Sequence, residues 1–314
     1  MSEKTTVAIT IQGLTKAYKN NKVLRGVNIS VQKGSIFALL GSNGAGKTTI
    51  VKILSTLIHP DGGSAEVLGL DVVKQAKQVR NHISLTGQFA TVDEQLTGKE
   101  NLLIIGALWH VSDRKEQADK LLEMFQLTNV ANKRVSTYSG GMRRRLDIAM
   151  GMMGQSSIVF LDEPTTGLDP QSRLAMWNIV KLMSSLGKTV FLTTQYLDEA
   201  DYLADYIAVL HEGVIIADGT SEELKKTLPQ GIIQIQFNNE LDLKKAKALL
   251  DEYPIRDDKE INTLNIQTDS SAKAFADVLN RINEINIEIL KFTPKQPTLE
   301  DAFLILIGEK KEDV

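Results

Sequence analysis

The run Gly41-Ser42-Asn43-Gly44-Ala45-Gly46-Lys47-Thr48 fits the spacing G-x-x-x-x-G-K-[ST], a phosphate loop where a buried strand precedes it and a helix follows. Each residue type has a reason. Glycines let successive backbone N–H groups turn inward and approach phosphate oxygens closely, and the following helix adds the positive end of its dipole. Lys47 supplies a point charge for β- and γ-phosphates, and the Thr48 hydroxyl can ligate Mg²⁺. Thr49, the next residue, joins the expected binding set. The plain alternative is a glycine-rich turn that binds nothing; the apolar run before it and the helical pattern after it weigh against that.

Ile158-Val-Phe-Leu-Asp162-Glu163-Pro164 reads as an apolar strand ending in two carboxylates. Open α/β sheets bind ligands at the carboxyl ends of their strands. Asp162 is expected in the magnesium shell and Glu163 beside an attacking water, since neighbours on a strand point in different directions. Alone, such a pair is an ordinary solvated turn; the phosphate loop in the same chain gives it meaning. Tyr138-Ser139-Gly140-Gly141-Met142-Arg143-Arg144-Arg145 stands at the start of a helical pattern. Ser139 suits an N-cap, and the glycines expose N–H groups at a positive helix end, a second place for an anion. By itself a simple cap is the commoner meaning.

The elements that must carry these residues follow from patterning. Residues 5–12 and 23–31 alternate as strands, and residues 35–40 read as a buried strand before the loop, with a helix after it to about residue 57. Pro60-Asp61-Gly62-Gly63 breaks the chain. Apolar spacing near 3.6 over residues 98–153 predicts a helical subdomain. A helix is expected over 170–186, a strand over 189–193, and a late strand pair over 207–210 and 214–217. This is an α/β core with a mostly parallel sheet and antiparallel strands at its start, spanning 1–228. Leu228-Pro229-Gln230-Gly231 marks a boundary. Residues 229–314 are expected to form a small α+β domain of ferredoxin-like type, with strands at 232–237, 261–266 and 286–292 and helices at 242–251, 270–283 and 298–307.

Composition bounds the chemistry. The 314 residues suggest about two domains, and 42% hydrophobic with 24% charged residues is ordinary for a globular chain. With no cysteine, thiolate catalysis, disulfides and iron–sulfur ligation are out. The four histidines are scattered without metal-ligand spacing. A net charge of -3 argues against nucleic acid as a partner in spite of Arg143-Arg144-Arg145, at least one of which is expected to face solvent or pair with acids near the helix start. The longest apolar stretch, residues 102–109, is far short of a membrane span, and residues 1–10 lack the apolar core of a secretory signal. Membrane contact is therefore expected only through a partner.

Taken in order, Gly41–Thr48, Gln88, Ser139-Gly140-Gly141 and Asp162-Glu163 resemble an ATP-binding-cassette ATPase over about residues 5–225. Tyr-Ser-Gly-Gly-Met-Arg-Arg-Arg, Thr193-Thr-Gln-Tyr-Leu-Asp-Glu-Ala200 and Pro297-Thr-Leu-Glu-Asp-Ala-Phe303 are similar to the daunorubicin-resistance type of exporter ATPase. The resemblance implies a P-loop NTPase core with an antiparallel β subdomain, an inserted helical subdomain and a C-terminal accessory domain. It implies ATP and Mg²⁺ as cofactors, with Tyr18 stacking on adenine and Gln88 touching the metal and the water. It implies that Ser139, Gly140 and Gly141 meet the γ-phosphate held by a second ATPase subunit, that Asp169 lies in the loop crossing that interface, and that Glu163 is the catalytic carboxylate. Two positions depart from the general pattern. Met142 replaces the usual glutamine, and Gln195 stands where most cassettes carry histidine; a glutamine amide can orient γ-phosphate and water but holds no titrating proton. The chain is thus expected to be the ATPase subunit of an exporter, at the cytoplasmic face of the membrane through a separate transmembrane permease. The rivals are a soluble cassette acting on ribosomes or DNA, and a regulatory ATP-binding module without useful hydrolysis. One phosphate loop and no coiled coil count against the first; Gln195 keeps the second open.

Overall fold

Two long strands, β1 (Val7–Tyr18) and β2 (Asn21–Gln32), form an antiparallel hairpin that turns at Lys19-Asn20, with Tyr18 opposite Asn21. Buried and exposed residues alternate along the second half of β2, the pattern of a sheet with one covered face. The computed structural model describes residues 7–88, 90–226, 231–258, 261–268, 271–285, 287–295, 298–300 and 303. It divides into two units, Met1–Ser221 and Glu222–Val314.

In the first unit, β3 (Ile36–Leu40) is buried at every position and leads through the glycine-rich loop into α1 (Lys47–Leu54). β4 (Gly62–Val67) and β5 (Leu70–Asp71) join the hairpin to make an antiparallel sheet ordered β2-β1-β4-β5. After α2 (Ala76–Arg80) and β6 (Ile83–Thr86) come the helices α3 (Gly98–Leu108), α4 (Arg114–Met124) and α5 (Gly140–Gly151), the inserted helical layer. β7 (Ile158–Asp162), α6 (Pro170–Ser185), β8 (Thr189–Thr194), α7 (Leu197–Leu203), β9 (Tyr206–His211) and β10 (Val214–Gly219) complete a six-stranded sheet ordered β10-β9-β3-β8-β7-β6, and α8 (Ser221–Lys226) begins at the last residue of this unit and runs into the second. Every pairing in the sheet is parallel except that of β10 with β9. The inner strands β3, β7 and β8 are buried along their whole length, which is why they read as unbroken apolar runs. Across them Phe37 stacks on Phe191 with centroids 5.1 Å apart and Phe160 packs tilted against Phe191 at 5.6 Å, and Ile9, Leu14, Val27, Ile50 and Leu54 close the core beneath the antiparallel sheet.

Some details differ from the sequence expectations. The helix after the loop stops at Leu54 rather than near residue 57, because Thr56 takes φ +64 and ends it. No element was expected over 64–97, yet β4, β5, α2 and β6 lie there; β4 is Gly-Gly-Ser-Ala-Glu-Val and offers almost no apolar signal.

The second unit has the order β11 (Gly231–Phe237), α9 (Glu240–Leu249), β12 (Ile255–Asp258), β13 (Thr263–Thr268), α10 (Ala272–Glu284), β14 (Ile289–Lys295). Its sheet is ordered β12-β13-β11-β14 with every pair antiparallel, the ferredoxin-like arrangement. Ile233, Ile235 and Phe237 pack with Leu264 and Ile266 against Leu243, Ala246, Val278 and Ile282 of the helices. Asn239 and Ser271 cap those helices by accepting from Asp242 N at 2.9 Å and Ala274 N at 3.1 Å. β13 starts at Thr263 rather than 261 because Asn262 turns with φ +49. The edge strand β12, Ile-Arg-Asp-Asp, was not expected. The expected boundary at Leu228-Pro229-Gln230, Asn286, the expected helix 298–307 apart from 298–300 and 303, residues 297, 301 and 302 of the Pro297–Phe303 motif and the charged stretch 309–313 lie outside the described residues. Among the described residues no helix is long and apolar enough to cross a membrane.

Candidate active site

β8 lies between β3 and β7, and its end holds both of the functional loops. Gly41 N donates to Thr194 O at 3.1 Å, and Glu163 N donates to Thr193 O, also at 3.1 Å. Strands buried on both faces can offer side chains to a ligand only where they end, so the chemistry gathers at the carboxyl ends of β3 and β7.

The loop is shaped by its glycines. A Cβ on Gly41 would lie 2.4 Å from Leu210 O, and Gly46, at φ +112, N-caps α1 without any side-chain hydrogen bond. The first N–H groups of α1 are therefore not covered by a capping side chain and face the loop, the arrangement that receives an anion. Lys47 is 4% exposed; its ammonium donates to Gly41 O at 2.7 Å and Ser42 O at 3.1 Å and pairs with Glu163 Oε1 at 3.2 Å. Thr48 Oγ1 donates to Asp162 Oδ1 at 3.3 Å, and Thr193 Oγ1 donates to the same oxygen at 2.6 Å. Thr166 Oγ1 donates to Glu163 Oε2 at 3.2 Å. Glu163 takes φ +50, a backbone conformation costly for a residue with a Cβ and one that clusters at functional sites. A cavity of about 340 Å³ opens here, lined by Asn43, Gly44, Gly46, Lys47, Thr48, Thr49, Gln88 and Glu163 with Asn21 and Val23.

The donor set suits a hard cation. The Thr48 hydroxyl, Asp162 carboxylate and Gln88 amide would offer oxygen atoms to such an ion, and among the described residues no cluster of three or more His, Cys, Asp or Glu offers a closed protein cage. An ion held by so few protein groups must take its other ligands from phosphate and water, as Mg²⁺ does.

Other expected site residues lie elsewhere. Tyr18 ends β1, is 46% exposed and does not line the cavity; its ring has the Lys16 ammonium 5.9 Å from its centroid. Gln195 follows the Thr194 carbonyl that holds Gly41, but it is not in the cavity wall either. Ser139 N-caps α5, accepting from Met142 N at 3.2 Å, and with Gly140 is exposed. Gly141 abuts the first turn of α6, where an added Cβ would lie 2.5 Å from Ser172 Oγ. Asp169 caps that helix through Ser172 N at 2.9 Å, and this bonding holds its carboxyl below the usual range. Ser139, Gly140, Gly141 and Asp169 thus form one group at two adjoining helix starts, apart from the cavity wall.

The arginine run splits three ways. Arg143 pairs with Glu94 at 2.7 Å, and Arg145 donates to Phe125 O at 3.1 Å. Arg144 is 6% exposed and points at the strand ends, where burial pulls its guanidinium below its ordinary value while Asp147, Asp162 and Glu199 act against that. Its burial is legible from spacing, since Gly141, Arg144 and Ile148 fall on one helical face. Thr193 and Glu199 were also not singled out from the sequence. Glu199 is fully buried, accepts from Thr165 Oγ1 at 2.8 Å and Trp177 Nε1 at 3.0 Å, and burial pushes its carboxyl up.

Comparison with known proteins fits this geometry. The ABC transporter family profile matches residues 24–166, and that of the ATP-binding protein DrrA1-3-like C-terminal domain matches residues 219–306. The chain is 41% identical to the daunorubicin/doxorubicin resistance ATP-binding protein DrrA of Streptomyces peucetius, over 100% of this chain and 96% of that protein. It is 34% identical to the Nod factor export ATP-binding protein I of Rhizobium sp. (strain N33), over 98% of this chain and 99% of that protein. Among solved structures, an ATP-binding cassette of an ABC transporter in its ADP conformation superimposes with a TM-score of 0.63 at 26% identity, covering 70% of this chain and 93% of that one.

Proposed function

This chain belongs to the ABC transporter family, among the daunorubicin-resistance type of ATP-binding proteins, and from that premise we propose that its ATP hydrolysis powers export of an amphipathic compound through a separate transmembrane partner. The observation that carries the reading is the meeting of Lys47 with Glu163 and of Thr48 with Asp162 at the ends of β3 and β7. Lys47 and the uncapped start of α1 bind the β- and γ-phosphates. Thr48, Asp162 and Gln88 would hold Mg²⁺, which when bound offsets charge that builds on the phosphate oxygens. Glu163 releases Lys47 to the nucleotide and orients the attacking water, so catalysis is positioning and charge stabilisation. Tyr18 supplies a ring for adenine. Ser139 and Gly140, exposed beside Asp169, with Gly141 buried next to them, complete the site of a second ATPase subunit, so that two chains close head to tail around two nucleotides.

The transmembrane partner would span the membrane and hold this chain at its cytoplasmic face. Ile104, Leu108 and Trp109, exposed on and just after α3, give it an apolar surface to dock on. The test is steady-state ATPase activity with and without the co-expressed membrane protein that copurifies with the tagged chain. Stimulation by that protein, and by an amphipathic compound it carries, is the expected result. Gln195 favours a second reading, a regulatory module with little turnover. If turnover is substantial and Gln195→Ala lowers it, that second reading is excluded.

A further inference from the structure

Arg144 spends its guanidinium on backbone. Nε donates to Pro164 O at 3.2 Å, one terminal nitrogen donates to Asp162 O at 3.1 Å and Glu163 O at 3.5 Å, and the other donates to Gly87 O. The nearest ion-pair partner, Asp147 Oδ2, is 3.8 Å away on the same helix. Gly87 is the residue before Gln88, and Asp162 and Glu163 carry the two carboxylates of the site. One planar side chain therefore pins two of the segments beside the cavity, those of Gln88 and Glu163, and it does so from α5, the helix that begins at Ser139.

Two features make this more than packing. Glu163 sits in the left-handed region at φ +50 and needs to be held there. Its N–H donates to Thr193 O and Oγ1, each at 3.1 Å, and its carbonyl accepts from Arg144, so the strained residue is clamped on both sides. Second, only a fork of fixed N–H donors reaches several carbonyls at once; a lysine ammonium is a single point on a flexible stem. Arg144 does not line the nucleotide cavity.

We propose that Arg144 is a positioning residue that sets Gln88 and Glu163 relative to each other and to α5, so that engagement of Ser139-Gly140-Gly141 by a partner's nucleotide is passed to the catalytic carboxylate of the same chain. The proposal rests on the reading of Glu163 as that carboxylate. It differs from a merely structural role in what it moves: nucleotide affinity stays, turnover falls.

The experiment uses the full chain with Arg144→Lys and Glu163→Gln in parallel, measuring kcat, KM for ATP and melting temperature. For Arg144→Lys the expected result is a kcat about ten- to a hundredfold lower, with KM and melting temperature close to those of the parent chain. Combining it with Gln88→Ala should cost less than the product of the two separate losses, since both act through one loop. A kcat unchanged by Arg144→Lys overturns the proposal, as does a loss in which KM rises and melting temperature falls together. If Arg144→Lys aggregates, Arg144→Gln, a neutral donor, takes its place; failure of both to fold assigns Arg144 to stability and overturns the proposal as well. Should Glu163→Gln turn over ATP normally, the catalytic reading itself falls. If Glu163→Gln is inactive and Arg144→Lys is normal, only the present inference falls.

Discussion

Lys47 and Glu163 neutralise one another at 3.2 Å, and each is needed elsewhere once a triphosphate enters. Their variants should therefore fail differently. Glu163→Gln keeps the phosphate cradle and should bind ATP, dimerise and lose about a hundredfold or more in turnover, the scale of a missing general base. Lys47→Ala leaves Glu163 without its cation and removes charge from the loop, so ATP affinity should fall; fluorescent-nucleotide titration beside size-exclusion chromatography separates the two. Glu199 gives a prediction about pH. Its carboxyl is buried and pushed up, so the folded state favours the protonated form. A folded pKa above the unfolded one means stability that is full below the ordinary carboxylate range and is lost as pH rises through the raised value. Glu199→Gln keeps the oxygen that accepts from Thr165 and Trp177 and cannot ionise. Its melting temperature relative to the parent chain should rise as pH climbs from 4 to 8; a flat difference would show that Glu199 does not titrate in that window.

Helix starts do much of the work at the next scale. α5 and α6 meet where Gly141 faces Ser172, with no room for a methyl group. Gly141→Ala should force the two starts apart at a cost of about 1–3 kcal/mol, read as a lower melting temperature, and should weaken ATP-dependent dimerisation beyond that. The parallel strands β3, β7, β8 and β9, the helical insertion and the two cores were readable because long apolar runs and a 3.6 period are strong signals. β4, β5, β6 and β12 were not, because short strands at a sheet edge, or next to one as β4 is, are held by their neighbours' hydrogen bonds and give little pattern of their own. At the site, the loop glycines, Lys47, Thr48, Asp162 and Glu163 could be named from spacing. Thr193 and Arg144 could not be given their parts, since each acts on a backbone or carboxylate far away in sequence and near only after folding. A run of three arginines looks uniform until a helix turns one of them inward.

Each of the two units, Met1–Ser221 and Glu222–Val314, has its own core, and the phosphate loop lies in the first. Calorimetry of the whole chain should then resolve two transitions. ATP with Mg²⁺ at a hundred times its dissociation constant should stabilise the first by about 2.7 kcal/mol and leave the second in place. A single transition that moves as one would count against this division of the chain. The position of β3 in the first unit has a consequence for synthesis. Its neighbours are β8 and β9, both much later in the chain, and the loop's first residue hangs on Thr194 with Leu210 as its wall. A ribosome that has delivered Lys47 must still make everything up to those strands, on the order of ten seconds of elongation. Throughout that interval the nascent polypeptide displays the motif without a complete pocket, so early folding must be carried by elements that pair without β8 and β9, the antiparallel sheet of β2, β1, β4 and β5 first among them.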